Sequence, residues 1–214
     1  MERVFVCEAP ETSGECASLM QPEPIILTGR HVRLEPLSPA HAADLAEVGA
    51  EAEIWKYLPS SPPSSLAAVE AWIATALDEQ ARGLRLPFAI IDLRTGRAVG
   101  STSYLDIAPA HRRIEIGWTW LGAPARRTFI NTECKSLLLR HAFETLGCGR
   151  VQLKTDGRNL RSQTAILRIG AKLEGVLRQH MVLPDGHVRD TVMYSITAEE
   201  WPAVKARLAS ALQR

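Results

Sequence analysis

The order of periodic segments predicts a single α/β domain, one mixed sheet with helices on both faces. Three observations carry that expectation. Short apolar or alternating runs recur at 25–27, 31–37, 87–92, 98–105, 113–121, 151–155, 172–182 and 188–196. Segments with helical spacing stand between them, and neither an internal repeat nor a composition break divides the chain. Two helices follow the first strands, then an antiparallel strand run, then strand–loop–helix–strand–helix–hairpin, an order that one mixed sheet fits.

Each element follows from local chemistry. The strands at 25–27 and 31–37 join through Thr28 and Gly29. Ser38 then serves as an N-cap with Pro39 at the first helical position, and the helix runs through Leu45 and Val48. Residues 59–65 read PSSPPSS and must form a loop, since proline removes donors and fixes φ. Ser65 caps a helix whose stripe is Leu66, Val69, Trp72, Ile73 and Leu77, ended by Gly83. Strands at 87–92 and 98–105 flank a turn at 94–96. Along 113–121, alternation places Ile114, Ile116, Trp118 and Trp120 on one face. The strongest helix starts near Thr132, with Leu138, Ala142 and Leu146 spaced by four, as are Leu139 and Phe143, and Gly147 ends it. A helix at 160–169 stops at Gly170. The closing hairpin turns at Pro184, Asp185 and Gly186. Thr197 caps a last helix with Glu199 and Glu200 in its first turn and Trp201, Val204, Leu208 and Leu212 inward.

Composition narrows the function. The chain has 214 residues, 46% of them hydrophobic and 23% charged, enough for one domain with a sizeable core. A net charge of +1 supplies no general field for nucleic acid or an acidic membrane. No apolar run is long enough to span a bilayer. Residues 1–24 carry five glutamates with scattered proline and glycine, so they read as a poorly ordered leader rather than a secretory signal, before a domain over 25–214. Cys7, Cys16, Cys134 and Cys148 form no CxxC pair and no zinc spacing with histidine, which points to free thiols in a reducing cytoplasm and to no metal.

The chemistry centres on the loop before the long helix, Arg126, Arg127, Thr128, Phe129, Ile130, Asn131 and Thr132. A helix start presents unpaired N–H groups and a positive dipole end, which suit a pyrophosphate, and the two arginines add charge. A solvated basic loop before a capped helix fits the same residues.

These residues resemble those of the GNAT superfamily of N-acetyltransferases, RimJ/RimL-like branch. The resemblance lies in Glu115-Ile116-Gly117-Trp118, the 126–132 loop with Asn131-Thr132-Glu133, Asn159 with Ser162, Gly170-Ala171, Glu174-Gly175, and the hairpin from Arg189-Asp190 to Tyr194-Ser195. It implies a mostly antiparallel twisted sheet splayed between two parallel strands, at 116–121 and 151–155, with acetyl-CoA held in the splay. Trp118, Thr119, Trp120 and Leu121 would line it beside the 126–132 loop, and Asn159 and Ser162 would meet the pantetheine arm or the departing sulfur. The acceptor would be an amine, of a peptide or protein N-terminus or of a small molecule. Nucleic acid and membrane are not among the partners expected, and a homodimer is among the assemblies allowed.

The resemblance makes Glu115 the base that deprotonates the amine, with His111 second. The alternative for Glu115 is a solvent-facing carboxylate paired with Arg112 or Arg113. Asn159 and Ser162 read equally as a helix cap and its first turn. The tyrosine acid that many relatives place seven residues after the Asn is replaced by Ile166. Trp55, Tyr57 and 59–65 lie where the acceptor pocket is shaped, although aromatics at such a junction also suit a core. His180 and Met181 sit on the hairpin near the same region. Phe129 departs from the superfamily's Gln/Arg-x-x-Gly-x-Gly/Ala loop, where glycine is expected. If that position needs φ > 0, the residue costs about 1–2 kcal/mol. A benzyl group filling the anion cradle would instead leave a non-catalytic acyl-CoA-binding or protein-interaction descendant of the fold.

Overall fold

In the computed structural model, which describes residues 20–61 and 63–213, eight strands form one sheet in the order β1-β2-β3-β4-β5-β6-β8-β7. The strands are Leu27–Thr28, Val32–Pro36, Arg85–Asp92, Arg97–Ala108, Arg113–Leu121, Arg150–Asp156, Lys172–Val182 and Val188–Thr197, numbered β1 to β8 in chain order. Every neighbouring pair is antiparallel except β5 and β6. The helices are α1, Ala42–Val48; α2, Ala52–Trp55; α3, Leu66–Ala81; α4, Ile130–Arg140; α5, Leu160–Arg168; and α6, Trp201–Leu212. A short 3-10 turn at Pro39–His41 precedes α1, and a π-helical turn at His141–Thr145 extends α4.

Strand alternation divides the core between the two faces. Phe88 and Ile90 of β3 belong to a cluster with Leu137, Leu138 and Leu139 of α4, Ile166 of α5 and Trp201, Val204 and Leu208 of α6. Their neighbours Ala89 and Ile91 belong to a second cluster, with Leu45 of α1, Ile54 and Trp55 of α2 and Val69, Ile73 and Ala76 of α3. Each fully buried leucine or isoleucine contributes on the order of 1.5–3 kcal/mol. Ser65 caps α3 by accepting from the Ala68 amide at 3.2 Å, as its sequence implies. The Tyr104 hydroxyl donates to the Leu138 carbonyl at 2.6 Å and ties α4 to the sheet.

Four local expectations change. The face expected to hold Ile114, Ile116, Trp118 and Trp120 breaks at Trp118, whose φ is +49°. Ser103 faces Gly117 and Ser101 faces Trp120, so Trp118 and Thr119 together oppose Thr102 alone in a β-bulge. The extra residue turns Trp120 into the second cluster while Ile114 and Ile116 stay in the first. Leu66 is exposed rather than in the α3 stripe. The α4 helix starts at Ile130, two residues early, with Phe129 at its N-cap. Glu200 is the N-cap of α6, and its carboxylate folds back to accept from the Thr197 amide at 2.9 Å, so neither glutamate stands in the first turn.

Met20 is fully buried in the first cluster. Residues 1–19, with Cys7 and Cys16 and most of the expected leader, lie outside the described residues. Cys134 and Cys148 are free and buried, and burial pushes both thiols up to about 11. Among the described residues no helix is long and apolar enough to cross a membrane.

Candidate functional site

The parallel pair β5–β6 is joined only at its start. Arg113 pairs with Arg150, Ile114 with Val151 and Glu115 with Gln152, and there the pairing ends. Beyond that point β6 remains paired to β8, and β5 bulges away from β4 at Trp118 and Thr119. Neither bulge residue has a ladder partner on β4 or β6. Backbone N–H groups left out of the ladder are available to a ligand that supplies acceptors.

The start of α4 supplies a second set of open donors. Among the described residues the amides of Arg127, Thr128, Phe129, Asn131 and Thr132 have no hydrogen-bond acceptor, whereas that of Ile130 is taken by Thr128 Oγ1 at 3.2 Å. Thr128 Oγ1 donates to the Ala125 carbonyl at 2.7 Å and stiffens the loop. Arg127 has φ +60° and an exposed side chain. Arg126 is committed elsewhere, its Nε to the Leu121 carbonyl at 2.9 Å and its Nη2 to Glu51 at 2.9 Å. Ile130 and Thr132 face the core. The donors, their place at a helix N-terminus and the exposed Arg127 guanidinium fit a pyrophosphate.

Phe129 does not fill this cradle. Its backbone is ordinary right-handed helix, φ −67° and ψ −18°, so the position does not require glycine. Its ring is 43% exposed and stacks on His31 with 5.7 Å between centroids. One turn along, Glu133 accepts from the Arg30 and His31 amides at 2.6 and 2.8 Å. Phe129 and Glu133 together clasp the β1–β2 turn, which explains a phenylalanine where the superfamily pattern has glycine.

Glu115 lies at the point where β5 and β6 part. It is 1% exposed, ion-paired with Lys154 Nζ at 3.0 Å, and accepts from Gln152 Nε2 at 3.2 Å. The expected arginine partners are occupied otherwise: Arg113 binds Asp106 at 2.8 Å, and Arg112 donates to the Gly147 carbonyl. Gly117 makes room for the carboxylate, because a Cβ there would stand 2.7 Å from Glu115 Oε1 and 2.7 Å from Leu105 Cδ1. Close by on β8, Arg189 is buried with its Nε unpaired, and its Nη1 donates to the Tyr57 carbonyl at 3.3 Å. Burial pulls its pKa down, against the attraction of Asp156 and Glu115. Asp156 is buried too. Burial raises its pKa, but the hydrogen bonds from Arg158 outweigh that and leave it below the usual carboxylate value.

The remaining candidates divide. Asn159 Oδ1 accepts from the Ser162 amide at 3.0 Å, the cap geometry, at the carboxyl end of β6 beside the opening. Ile166 packs in the core. His111 is exposed in the turn before β5, at the joined end of the strand and away from the splay. Trp55 is core, its Nε1 on the Gly49 carbonyl at 2.8 Å and its ring 5.2 Å from that of Trp120. Trp120 is core as well. Trp118 is half-buried over the Arg85 guanidinium. Tyr57 reaches the site's side of the sheet, with Arg158 over its ring. The segment 59–65 runs as loop at residues 59–61 and 63–65. His180 Nδ1 lies 3.0 Å from Thr191 Oγ1 on the outer hairpin, next to Met181.

Sequence reading missed Gln152, Lys154, Arg189 and Lys135. The first two lie two apart on β6, on the side that the parallel register turns toward Glu115. Lys135 stands four residues before Leu139 on the apolar stripe of α4, a position where a charge is conspicuous.

The acetyltransferase (GNAT) domain family matches residues 31–172. An uncharacterised N-acetyltransferase from Bacillus subtilis, YoaA, is 33% identical over 121 residues, 56% of this chain and 66% of that protein, just under two thirds of its length. A GCN5-related N-acetyltransferase from Brucella melitensis superposes with TM-score 0.84 at 34% identity, covering 89% of this chain and 86% of that one. Mycobacterium smegmatis RimJ, solved in complex with CoA-disulfide, superposes with TM-score 0.77 over 88% of this chain and 95% of that one. At 23% identity it shows the shared fold alone.

Proposed function

This chain belongs to the GNAT acetyltransferase family, and from that premise we propose that it transfers the acetyl group of acetyl-CoA to a primary amine, by direct attack on the thioester. The acceptor is the amine of a peptide or protein N-terminus or of a small molecule. The observation that carries the reading is the unjoined stretch of β5 and β6 beyond Glu115, next to five amides at the start of α4 that have no acceptor among the described residues.

On this reading the α4 amides and Arg127 hold the diphosphate, and the pantetheine arm runs into the opening past Asn159 and Ser162. The thioester then meets the bulge of β5, where an amide N–H of the 118–120 segment donates a hydrogen bond to the carbonyl oxygen as negative charge grows on it. An amine of pKa near 10 is mostly protonated at neutral pH and must lose a proton before attack. Glu115 takes that proton, directly or through a water, and Lys154 holds its carboxylate in place. The new N–C bond forms as the C–S bond breaks, and the sulfur leaves as a thiolate of conjugate-acid pKa near 8.5 that takes up the second proton shed by the amine nitrogen, so Ile166 in place of a tyrosine acid is tolerable. The non-catalytic reading required Phe129 to occupy the cradle, and its ring lies on His31 instead.

The experiment is a melting shift with acetyl-CoA followed by thiol release with a panel of peptide and small-molecule amines. A shift with turnover on at least one amine is the result expected. No shift at millimolar acetyl-CoA removes the reading, and a shift without turnover on any amine leaves a binding protein.

A further inference from the structure

Lys135 is 7% exposed in the second turn of α4, and among the described residues it makes no ion pair. Its Nζ donates to Thr119 Oγ1 at 2.6 Å. That hydroxyl also lies 2.8 Å from Thr102 Oγ1, and 3.4 Å from the Gly117 carbonyl. The lysine therefore reaches the one stretch of β5 that lacks ladder partners, and its hydrogen bond ends on one of the two bulge residues.

A buried ammonium without a carboxylate is expensive, and an apolar side chain of the same length would be more stable there. Burial accordingly draws the lysine pKa below its ordinary value. Its hydrogen bond to Thr119 sets the amine beside the bulge. The nearby feature here is the bulge, where Trp118 is held at φ +49°, a strained conformation for a residue with a Cβ.

We infer that Lys135 is a positioning residue for acetyl transfer: through Thr119 its ammonium fixes the bulged segment of β5 and sets a positive charge behind the amides that face the thioester oxygen. The inference rests on the proposed function, since it assigns Lys135 to the same opening. In its protonated form the amine carries its charge before the reaction begins, so it favours the developing oxyanion over the neutral carbonyl and acts on kcat more than on KM.

The test compares Lys135→Met, Lys135→Gln and Lys135→Arg with the unaltered chain. The first readout needs no acceptor: the infrared carbonyl frequency of ¹³C-labelled acetyl-CoA bound to each protein. The Met and Gln variants should melt at or above the parent temperature and bind acetyl-CoA normally. Their bound carbonyl should move to higher frequency and their kcat should fall about tenfold or more, a loss of the kind caused by removing electrostatic stabilisation. Arg should recover part of both. Unchanged frequency and kcat in the Met variant overturn the role of Lys135 while leaving the acetyltransferase reading intact. A Gln variant equal to the parent overturns the part played by charge. Failure of the parent chain to bind acetyl-CoA overturns both readings, which separates the two kinds of failure.

Discussion

The two ends of β5 obey opposite rules. At its start, Arg113, Ile114 and Glu115 are paired to β4 on one side or to β6 on the other, and Ile114 is locked into the core beneath α4. Four residues on, Trp118 and Thr119 have no ladder partner on either side, one of them in a strained conformation. The first end resembles any sheet interior. The second withholds ladder bonds that the strand could have made, and the opening this leaves is the one proposed to take the coenzyme. Glu115 sits at the boundary, with a backbone in the ordered end and a carboxylate at the mouth of the open one.

That contrast breaks most sharply at Glu115. Glu115→Gln should lower kcat by about 10²–10⁴-fold while acetyl-CoA affinity stays nearly constant, measured as thiol release and by calorimetry. Unchanged turnover takes Glu115 out of the reaction. Gly117→Val comes next, because a side chain there must displace Glu115 or Leu105. It should cost about 1–3 kcal/mol of stability and lower activity as well, readable as a drop in melting temperature beside a rate assay.

Asp156→Asn tests the far rim, and should cost about 1–3 kcal/mol at neutral pH by leaving Arg158 and the buried end of β6 poorly satisfied. The sign with pH follows from the depressed carboxyl pKa. Its stabilisation is complete above the unfolded value of about 3.9 and is lost as pH falls through the lower folded value. The Asn variant should therefore show a flatter acid limb in urea titrations, and an unaltered limb would discount Asp156. The smallest effect is at Phe129. Phe129→Gly should lose about 0.5–1.5 kcal/mol of stacking and weaken acetyl-CoA binding slightly by loosening the α4 start. Tighter binding would mean that the ring does intrude on the cradle.

Most of the fold was legible because apolar spacing and punctuation agreed: Ser65 before α3, Gly147 after the long helix, Pro184 to Gly186 in the hairpin. The bulge was not. Alternation through Ile114, Ile116, Trp118 and Trp120 is perfect as text, and only the mismatch against β4 shows that one residue is extra. For the site, the loop before α4 was legible from its helix start and arginines, but not that Arg126 is spent on Leu121 and Glu51. Lys154 and Gln152 become meaningful only through the β5–β6 register, which joins residues 37 positions apart in sequence. Lys135 was readable as a charge on an apolar stripe, although its destination required the fold.

Trp118 gives this arrangement a lamp of its own. Its half-buried indole rests on the cationic head of Arg85, with ring and guanidinium 4.7 Å apart, on the strand segment proposed to meet the coenzyme. Light emitted from that ring should change in colour or intensity when the opening fills, so the protein can report arrival of its ligand without any added dye.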